Sequence, residues 1–351
     1  MPTILFLVRG HGFGHAARDA RIIAALRARR PDVTVEVLAS GSAATYLAWQ
    51  GIDFTELPIA DEWDLSGRAA QVVWESLAGR PRPDLTVCDE VVWALPYCAQ
   101  VWGRRAILLT DWFFAEIGLP EHDRLLDHAG EILVLDFSAA HPGPYAVRAP
   151  IRCLGPVTAA LAAGRTASRE LLGLAPGRKA AVLTVGGMSV RPDNRRIAEA
   201  VLTAWRRHAP REHRLFVLDK APEHTGSDED IAYVGLVPDP EPYYAAADAV
   251  ITNAYGTLTC DLVWNRRPVL GLTDPEIPEA DSFPRRVEAL AARGGIVHAE
   301  PSTPSHELWS RLERVMSGER GPADLAGLEW TTGDEVAAHL LRRLDDVMEQ
   351  A

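Results

Sequence analysis

The sequence predicts an α/β protein of two facing Rossmann-like domains, each with a parallel sheet, and a cleft between them. Three observations carry this expectation. Short apolar runs alternate with helical ones along the whole chain, which is the pattern of parallel βαβ units. Two of those runs end in glycine-rich turns, Gly10-His11-Gly12-Phe13-Gly14-His15 after 4–8 and Gly186-Gly187-Met188-Ser189 after 181–185. A third cluster, Asn253-Ala254-Tyr255-Gly256-Thr257, follows 249–252. A glycine turn between a buried strand and a helix lets backbone N–H groups approach an anion, and the helix N-terminus adds favourable partial charge. One such device in each half suits a nucleotide-type ligand.

In the first half, strands are expected over 3–8, 34–39, 54–57, 85–88, 105–110 and 131–135. A helix over 17–29 sets Ile22, Ile23 and Leu26 on one face and arginines on the other. The string His141-Pro142-Gly143-Pro144-Tyr145 reads as a loop that closes this half. The stretch 148–155 reads as the start of a linker. In the second half, strands are expected over 180–185, 215–218, 232–235, 249–252, 268–272 and 295–298. Helices are expected over 169–174, 194–207, 241–246, 259–264 and 283–293. The tail, 334–350, carries Val336, Leu340, Leu341, Leu344 and Val347 at helical spacing. The expected division is 1–150, 151–332, and a terminal helix over 333–351 that packs back on the first domain.

Composition narrows the function classes. With 351 residues the chain exceeds one ordinary core. A net charge of −12 argues against nucleic acid or anionic membrane as the main partner. Cys88, Cys98, Cys153 and Cys260 form no CxxC pair, so they read as small buried residues of a reducing cytoplasm rather than zinc ligands. No apolar stretch reaches membrane length, and the run 4–8 is too short for a signal-peptide core. No integral membrane association is expected, and a homodimer is allowed.

The turns carry the candidate chemistry. Gly10, Gly12 and Gly14 do not meet the dinucleotide fingerprint, because His15 stands where that pattern needs glycine or alanine. A histidine at the start of a helix after such a loop is placed to act as a general base near neutral pH. Arg18, three residues on, shares its face and reads either as a ligand contact or as a solvated charge. Asp89-Glu90 and Asp111-Trp112 follow two further strands, at the carboxyl ends where α/β sheets bind ligands. In the second half Ser189 and its glycines suit a diphosphate. Asp261, one turn into the helix opened by Gly256-Thr257, suits ribose hydroxyls or, alternatively, the helix dipole. No DxD stands beside a phosphate motif, so no metal is expected.

Taken together, these strings resemble the donor domain of GT-B glycosyltransferases. They carry strand-Gly-Gly-x-Ser, then Ala247-Asp248-Ala249-Val250-Ile251, then Gly-Thr and an acid, then Arg267-Pro268-Val269-Leu270. The lipid-II N-acetylglucosaminyltransferase group is the nearest relation this suggests. The string 10–16 with Arg18, and Tyr255-Gly256-Thr257, are also similar to the glycosyltransferase-like N-terminal region of L-arabinokinases. The resemblance implies an inverting, metal-independent transfer from a nucleotide diphosphate sugar, UDP-linked, with no cofactor. The net charge of −12 opposes a membrane-lipid acceptor, so a small soluble one is expected, for example a nucleobase or antibiotic precursor.

The resemblance also implies roles. His15, or a carboxylate such as Asp89 or Asp111, takes the acceptor proton. Gly12, Gly14, Gly186, Gly187, Ser189, Tyr255, Gly256, Thr257, Asp261 and Glu279 bind the donor. His11, Arg18, Glu90 and Trp112 bind the acceptor, in a half that also holds Trp49, Trp63, Trp74, Trp93 and Trp102. Tyr255, Ala280 and Phe283 depart from the family's common glycine, glutamine and asparagine. A nucleotide-sugar hydrolase or 2-epimerase of the same fold, or a non-catalytic nucleotide-sugar binding protein, are the alternatives.

Overall fold

The structure is a computed structural model that describes residues 1–59, 67–185, 192–218, 229–276, 281–319 and 323–350. It separates into two compact units. The first comprises 1–158, 280–282 and 328–351; the second comprises 159–279 and 283–327.

The first unit is built on a seven-stranded sheet. Its strands are β1 (Thr3–Val8), β2 (Thr34–Ala39), β3 (Thr55–Glu56), β4 (Leu85–Asp89), β5 (Ile107–Thr110), β6 (Glu131–Val134) and β7 (Ile151–Cys153). Their order is β3-β2-β1-β4-β5-β6-β7, with every pair parallel. The helices α1 (Gly14–Arg29), α2 (Gly41–Trp49), α3 (Arg68–Leu77) and α4 (Ala94–Gln100) connect the early strands. Strand β7 lies in the stretch expected to begin a linker. It adds an edge because its backbone pairs with β6, although Ile151 and Arg152 are exposed. A short strand β8 (Val157–Thr158) follows.

The second unit repeats the plan. It runs α5 (Arg165–Leu171), β9 (Ala180–Thr184), α6 (Pro192–His208), β10 (Arg214–Val217), β11 (Ile231–Tyr233), α7 (Glu241–Ala246), β12 (Ala249–Asn253), α8 (Thr257–Trp264), β13 (Val269–Leu272), α9 (Ser282–Ala292), β14 (Val297–Ala299) and α10 (Ser305–Ser317). Its parallel sheet has the order β11-β10-β9-β12-β13-β14. Helix α10 was not among the expected elements. It buries Leu308, Trp309, Leu312, Val315 and Met316 against Trp205 and the sheet.

The chain then returns to the first unit through β15 (Thr331–Thr332), which pairs with β8, and ends in α11 (Gly333–Glu349). Thr332 caps α11 reciprocally with Glu335. Val336, Leu340 and Leu344 join one core with Ile22, Ile23 and Leu26 of α1 and Ile4, Phe6 and Val8 of β1. The approach is close enough to demand glycine: a Cβ on Gly333 would stand 2.7 Å from the carbonyl carbon of Arg21. Asp334 and Asp345 pair with Arg29 and Arg30 at the rim of this contact.

In both sheets the strand order reverses once, between β1 and β4 and between β9 and β12. Loops at the carboxyl ends of such neighbouring strands splay apart and leave a crevice there. The turns after β1 and β4, and the turn after β12, are therefore the places to look for a site.

Candidate active site

In the first unit three turns converge. The turn after β1 is held from below by serines on the next crossover. Gly10 N–H donates to Ser40 Oγ at 2.9 Å, and Ser42 Oγ donates to the Gly12 carbonyl at 2.7 Å and also contacts the Gly10 carbonyl. Gly12 takes φ +73°, which glycine adopts freely. The turn delivers His15 to the first turn of α1, where it is 8 % exposed.

His15 Nδ1 lies 2.8 Å from Asp89 Oδ1, at the end of β4. Arg18 grips the same carboxylate with both arms: Nε donates to Oδ2 at 2.8 Å and Nη2 to Oδ1 at 2.6 Å. Nη2 also comes within 2.9 Å of His15 Nδ1. An arginine has no acceptor, so a proton on Nδ1 goes to Asp89, whereas an unprotonated Nδ1 accepts from Arg18 Nη2. The first tautomer leaves Nε2 with the lone pair. Glu90 stands on that side, with Oε2 3.6 Å from Nε2.

Glu90 is itself fixed. Its Oε1 accepts from Asp111 N–H at 3.2 Å and lies 3.3 Å from Thr110 Oγ1, whose proton goes to the Trp112 carbonyl at 2.7 Å, and its Oε2 is 3.4 Å from Arg9 Nη1. The Arg9 guanidinium lies 5.9 Å above the Trp112 ring. Asp111 approaches Arg18 Nη1 at 3.9 Å. The His11 ring is 6.4 Å from that of His15. So His11, His15, Arg18, Asp89, Glu90, Asp111 and Trp112 all gather at the reversal point of this sheet.

The electrostatics follow from burial and neighbours. Burial pushes the Asp89 carboxyl up, but Arg18 and His15 outweigh it and hold it well below the usual carboxylate range. Burial pulls the His15 imidazole down, but Glu90 and Asp89 more than offset this and raise it above its ordinary value. Burial raises Glu90, in part against the pull of His15. Burial pushes the fully buried Asp19 carboxyl far up, and the nearby Asp89 charge adds to the rise.

Two expectations are corrected. Arg18 does not present itself to an acceptor: it is 2 % exposed and committed to Asp89, because a buried carboxylate needs a counter-charge more than the surface needs an arginine. Most of the tryptophans are also elsewhere. Trp74 and Trp102 pack edge-on against Tyr97, Trp74 Nε1 donates to the Trp93 carbonyl, and Trp49 meets Phe13. Trp112 alone of them stands among the charged groups, and Trp63 lies outside the described residues.

His15, Asp89 and Glu90 also bring ligand-type atoms within 4.8 Å of one another. The Asp89 oxygens are already taken by Arg18 and by His15 Nδ1, and Arg9 and Arg18 supply two positive charges at contact distance. The cluster is an ion-pair network rather than a cation cage.

The second unit has a different character. Gly186, Gly187, Ser189 and Glu279 lie outside the described residues. After β12, Asn253 Oδ1 accepts the Tyr255 N–H at 3.0 Å and its Nδ2 donates to Asn194 Oδ1 at 2.6 Å. Gly256 precedes α8 without a side-chain cap, and Thr257 opens that helix. Arg286 of α9, 2 % exposed, donates to the Tyr255 carbonyl at 2.6 Å and lies over the Phe283 ring. Asn194 and Arg286 were not among the expected residues. Asp261 is 6 % exposed, and its Oδ1 accepts the Ala159 N–H at 3.2 Å. That bond pins the first residues of this unit to α8.

No family profile and no curated protein sequence matches the chain. Solved structures do, over nearly its full length. MurG from Acinetobacter baumannii is 15 % identical with a TM-score of 0.61, covering 97 % of this chain and 100 % of its own. The spinosyn forosaminyltransferase SpnP is 18 % identical with a TM-score of 0.64, covering 99 % and 95 %. Arabidopsis thaliana UGT89C1, complexed with UDP, is 14 % identical with a TM-score of 0.65, covering 98 % and 100 %.

The fold is GT-B. Within the GT-B plan the two reversal points divide the polar chemistry unevenly. The first unit carries an ionisable cluster, whereas the described part of the second carries neutral amides, hydroxyls, backbone N–H groups and one buried arginine.

Proposed function

We propose that the chain is a glycosyltransferase that moves a sugar from a nucleotide diphosphate donor, UDP-linked, to a small soluble acceptor by one inverting displacement. The observation that carries this is the His15–Asp89 pair at the reversal point of the first sheet, with Nδ1 2.8 Å from Asp89 Oδ1; in this reading Nδ1 carries the proton and Nε2 is the basic nitrogen.

The acceptor lies on the first unit, against His15, Asp111 and Trp112. His15 Nε2 takes the proton from its hydroxyl or ring N–H. The freed lone pair attacks the anomeric carbon as the bond to the donor diphosphate breaks. Asp89 holds the imidazolium that forms, and Arg18 keeps Asp89 ionised. The donor lies on the second unit. Backbone N–H groups at the start of α8 stabilise the departing diphosphate, with no metal taking part. Glu90 and Asp111 favour an acceptor rich in hydrogen-bond donors, such as a nucleobase or an amino-substituted antibiotic precursor. The likeness in fold to the spinosyn enzyme fits a place in secondary metabolism.

The test is thermal unfolding with UDP, dTDP, GDP and NAD, followed by assay of the stabilising nucleotide's sugars with candidate acceptors. A ligand that binds only the folded chain raises the midpoint. A selective rise with UDP and acceptor-dependent product formation is expected. Sugar release without an acceptor would instead favour a hydrolase or epimerase. A rise with NAD alone would remove the reading.

A further inference from the structure

Asp19 is a buried acid of the cluster that the transfer scheme leaves unused. His15, Arg18 and Asp19 fall at i, i+3 and i+4 of α1 and so share one face of that helix. The first two bond to Asp89, and the Asp19 carboxyl lies in side-chain hydrogen-bonding contact with the Asp89 carboxyl as well. Asp19 is 0 % exposed, and neither of its oxygens receives a hydrogen bond from an N–H or O–H group. A carboxylate sealed from water without a donor is too costly to keep, and such a group neutralises instead.

The charged groups that act on Asp19 are Arg18 on its own helix and Asp89 and Glu90 at the end of β4. His15, Arg9 and Asp111 complete the cluster from α1 and from the turns after β1 and β5. Helix α11, packed on α1, brings Val336, Leu340 and Leu344 to the shared core, and charged residues of α11 pair elsewhere: His339 with Glu131, Asp334 with Arg29 and Asp345 with Arg30. Helix α2 carries no charged residue, and its one titratable side chain, Tyr46, meets Phe13. Asp89 accepts two N–H bonds from Arg18 and lies 2.8 Å from His15 Nδ1, whereas Asp19 accepts none. Two ionised carboxylates in contact repel, and a hydrogen bond between two acceptors needs a proton on one of them. The proton belongs on the carboxyl that has no other donor. Burial and the Asp89 charge both push Asp19 up against the pull of Arg18, in agreement.

We propose that Asp19 is held as a carboxylic acid whose O–H donates to Asp89, and that it is a positioning residue for His15: it completes an Asp19–Asp89–His15 chain and moderates the pull of Asp89 on the ring. Its bearing on catalysis rests on His15 being the base of the transfer reaction, whereas its protonation does not. Asp89 Oδ2 accepts one bond from Arg18 and has capacity for a second. With the Asp19 O–H in place, the Asp89 charge is shared between Arg18, Asp19 and His15. The ring is then oriented without being locked as an imidazolium, and its basicity stays closer to neutral pH, where a general base is most effective. No proton passes along the chain during turnover: Asp19 keeps its own, and the acceptor's proton goes to His15 alone.

The experiment is denaturant unfolding of the full chain without substrates, in the wild type and in Asp19→Asn, from about pH 5 to about pH 8. A carboxyl that keeps its proton when folded and loses it on unfolding makes stability fall as pH rises. The unfolding equilibrium constant of the wild type is therefore expected to rise, relative to that of Asp19→Asn, by a factor approaching about ten per pH unit. Parallel pH dependences overturn the proposal. If Asp19→Asn fails to fold, carboxyl-carbon NMR of the wild type decides: an acid-type Asp19 shift at neutral pH upholds the protonation, and a carboxylate-type shift overturns it. The positioning role is read from NMR titration of the His15 ring in folded variants. Asp19→Asn still offers a donor and should keep the His15 midpoint. Asp19→Ala offers none and should raise it by about half a pH unit or more, with the acid limb of kcat/KM moving up alongside. Equal midpoints in Asp19→Ala and the wild type overturn that role, and a lowered midpoint in Asp19→Asn marks an ionised Asp19 and overturns the protonation. A raised midpoint in Asp19→Ala, in a protein that transfers no sugar, upholds the chain of contacts and removes the transferase reading instead.

Discussion

His15 and His141, both of the first unit, are buried against carboxylates, and they are built for opposite purposes. His141 is clasped at both ring nitrogens: Nδ1 lies 2.9 Å from Glu116 Oε1 and Nε2 3.1 Å from Asp136 Oδ2. Tyr145 donates to the same Glu116 oxygen at 2.5 Å and stacks on Phe113. Its side chain is 1 % exposed, and no nitrogen is left over. His15 has one nitrogen bonded at 2.8 Å and the other facing a carboxylate 3.6 Å away, at the edge of a crevice. A neighbouring carboxylate therefore does not make a histidine a base. What matters is whether one nitrogen remains within reach of a substrate, and whether an arginine fixes the carboxylate that orients the ring.

The largest expected difference is catalytic. His15→Ala should lower kcat by two or more orders of magnitude, the usual scale for losing a general base. Steady-state assay of the folded variant checks this, and undiminished turnover would remove the assigned role.

The next is in stability. His141→Asn leaves Glu116 and Asp136 facing each other without a cation. Breaking a buried pair in this way costs about 3–5 kcal/mol. Denaturant unfolding should show that loss, while the turnover of the molecules that remain folded stays near wild type. The opposite pattern, full stability with lost turnover, would put His141 in the active site.

A pH scan sharpens the same contrast. Burial pulls the His141 ring down, but Asp136 and Glu116 outweigh it and push it up to about 9. A folded-state value raised above the ordinary 6.5 means stabilisation that is complete below about 6.5 and is lost as pH rises through about 9. That interval corresponds to roughly 3 kcal/mol. Thermal midpoints should therefore decline between pH 7 and 10 in the wild type, and much less in His141→Asn.

The smallest effect separates the aromatic residues. Trp112→Ala should raise the acceptor KM several-fold, whereas Trp74→Ala should leave it unchanged, because Trp74 packs with Tyr97 away from the charged cluster. Equal effects of the two would return the remaining tryptophans to the acceptor pocket.

Much of this architecture was legible from the residues. The strands are apolar runs ended by glycine or acid, and a period-two or continuous apolar pattern needs no tertiary information. Helix α2 was not legible, because its alanine-rich span has little amphipathic contrast. Helix α10 was overlooked although Leu308, Trp309, Leu312 and Val315 recur at helical spacing. Asp89, Glu90 and Asp111 could be found because each is a charged residue at the end of a buried strand, and His15 because it opens the helix after a glycine turn. What Arg18 does could not be read: its spacing gives the helix face, not the partner that waits there. Ser42, Thr110 and the Glu116–His141–Asp136 clasp act through tertiary contacts that leave no local pattern.

The most direct test of the account is a ring-nitrogen NMR measurement on His15 at a pH where the imidazole is neutral. The account requires the proton on Nδ1, given to Asp89, and an unprotonated Nε2. A neutral ring carrying its proton on Nε2 would contradict it, since the nitrogen assigned to the acceptor would then have no lone pair to offer.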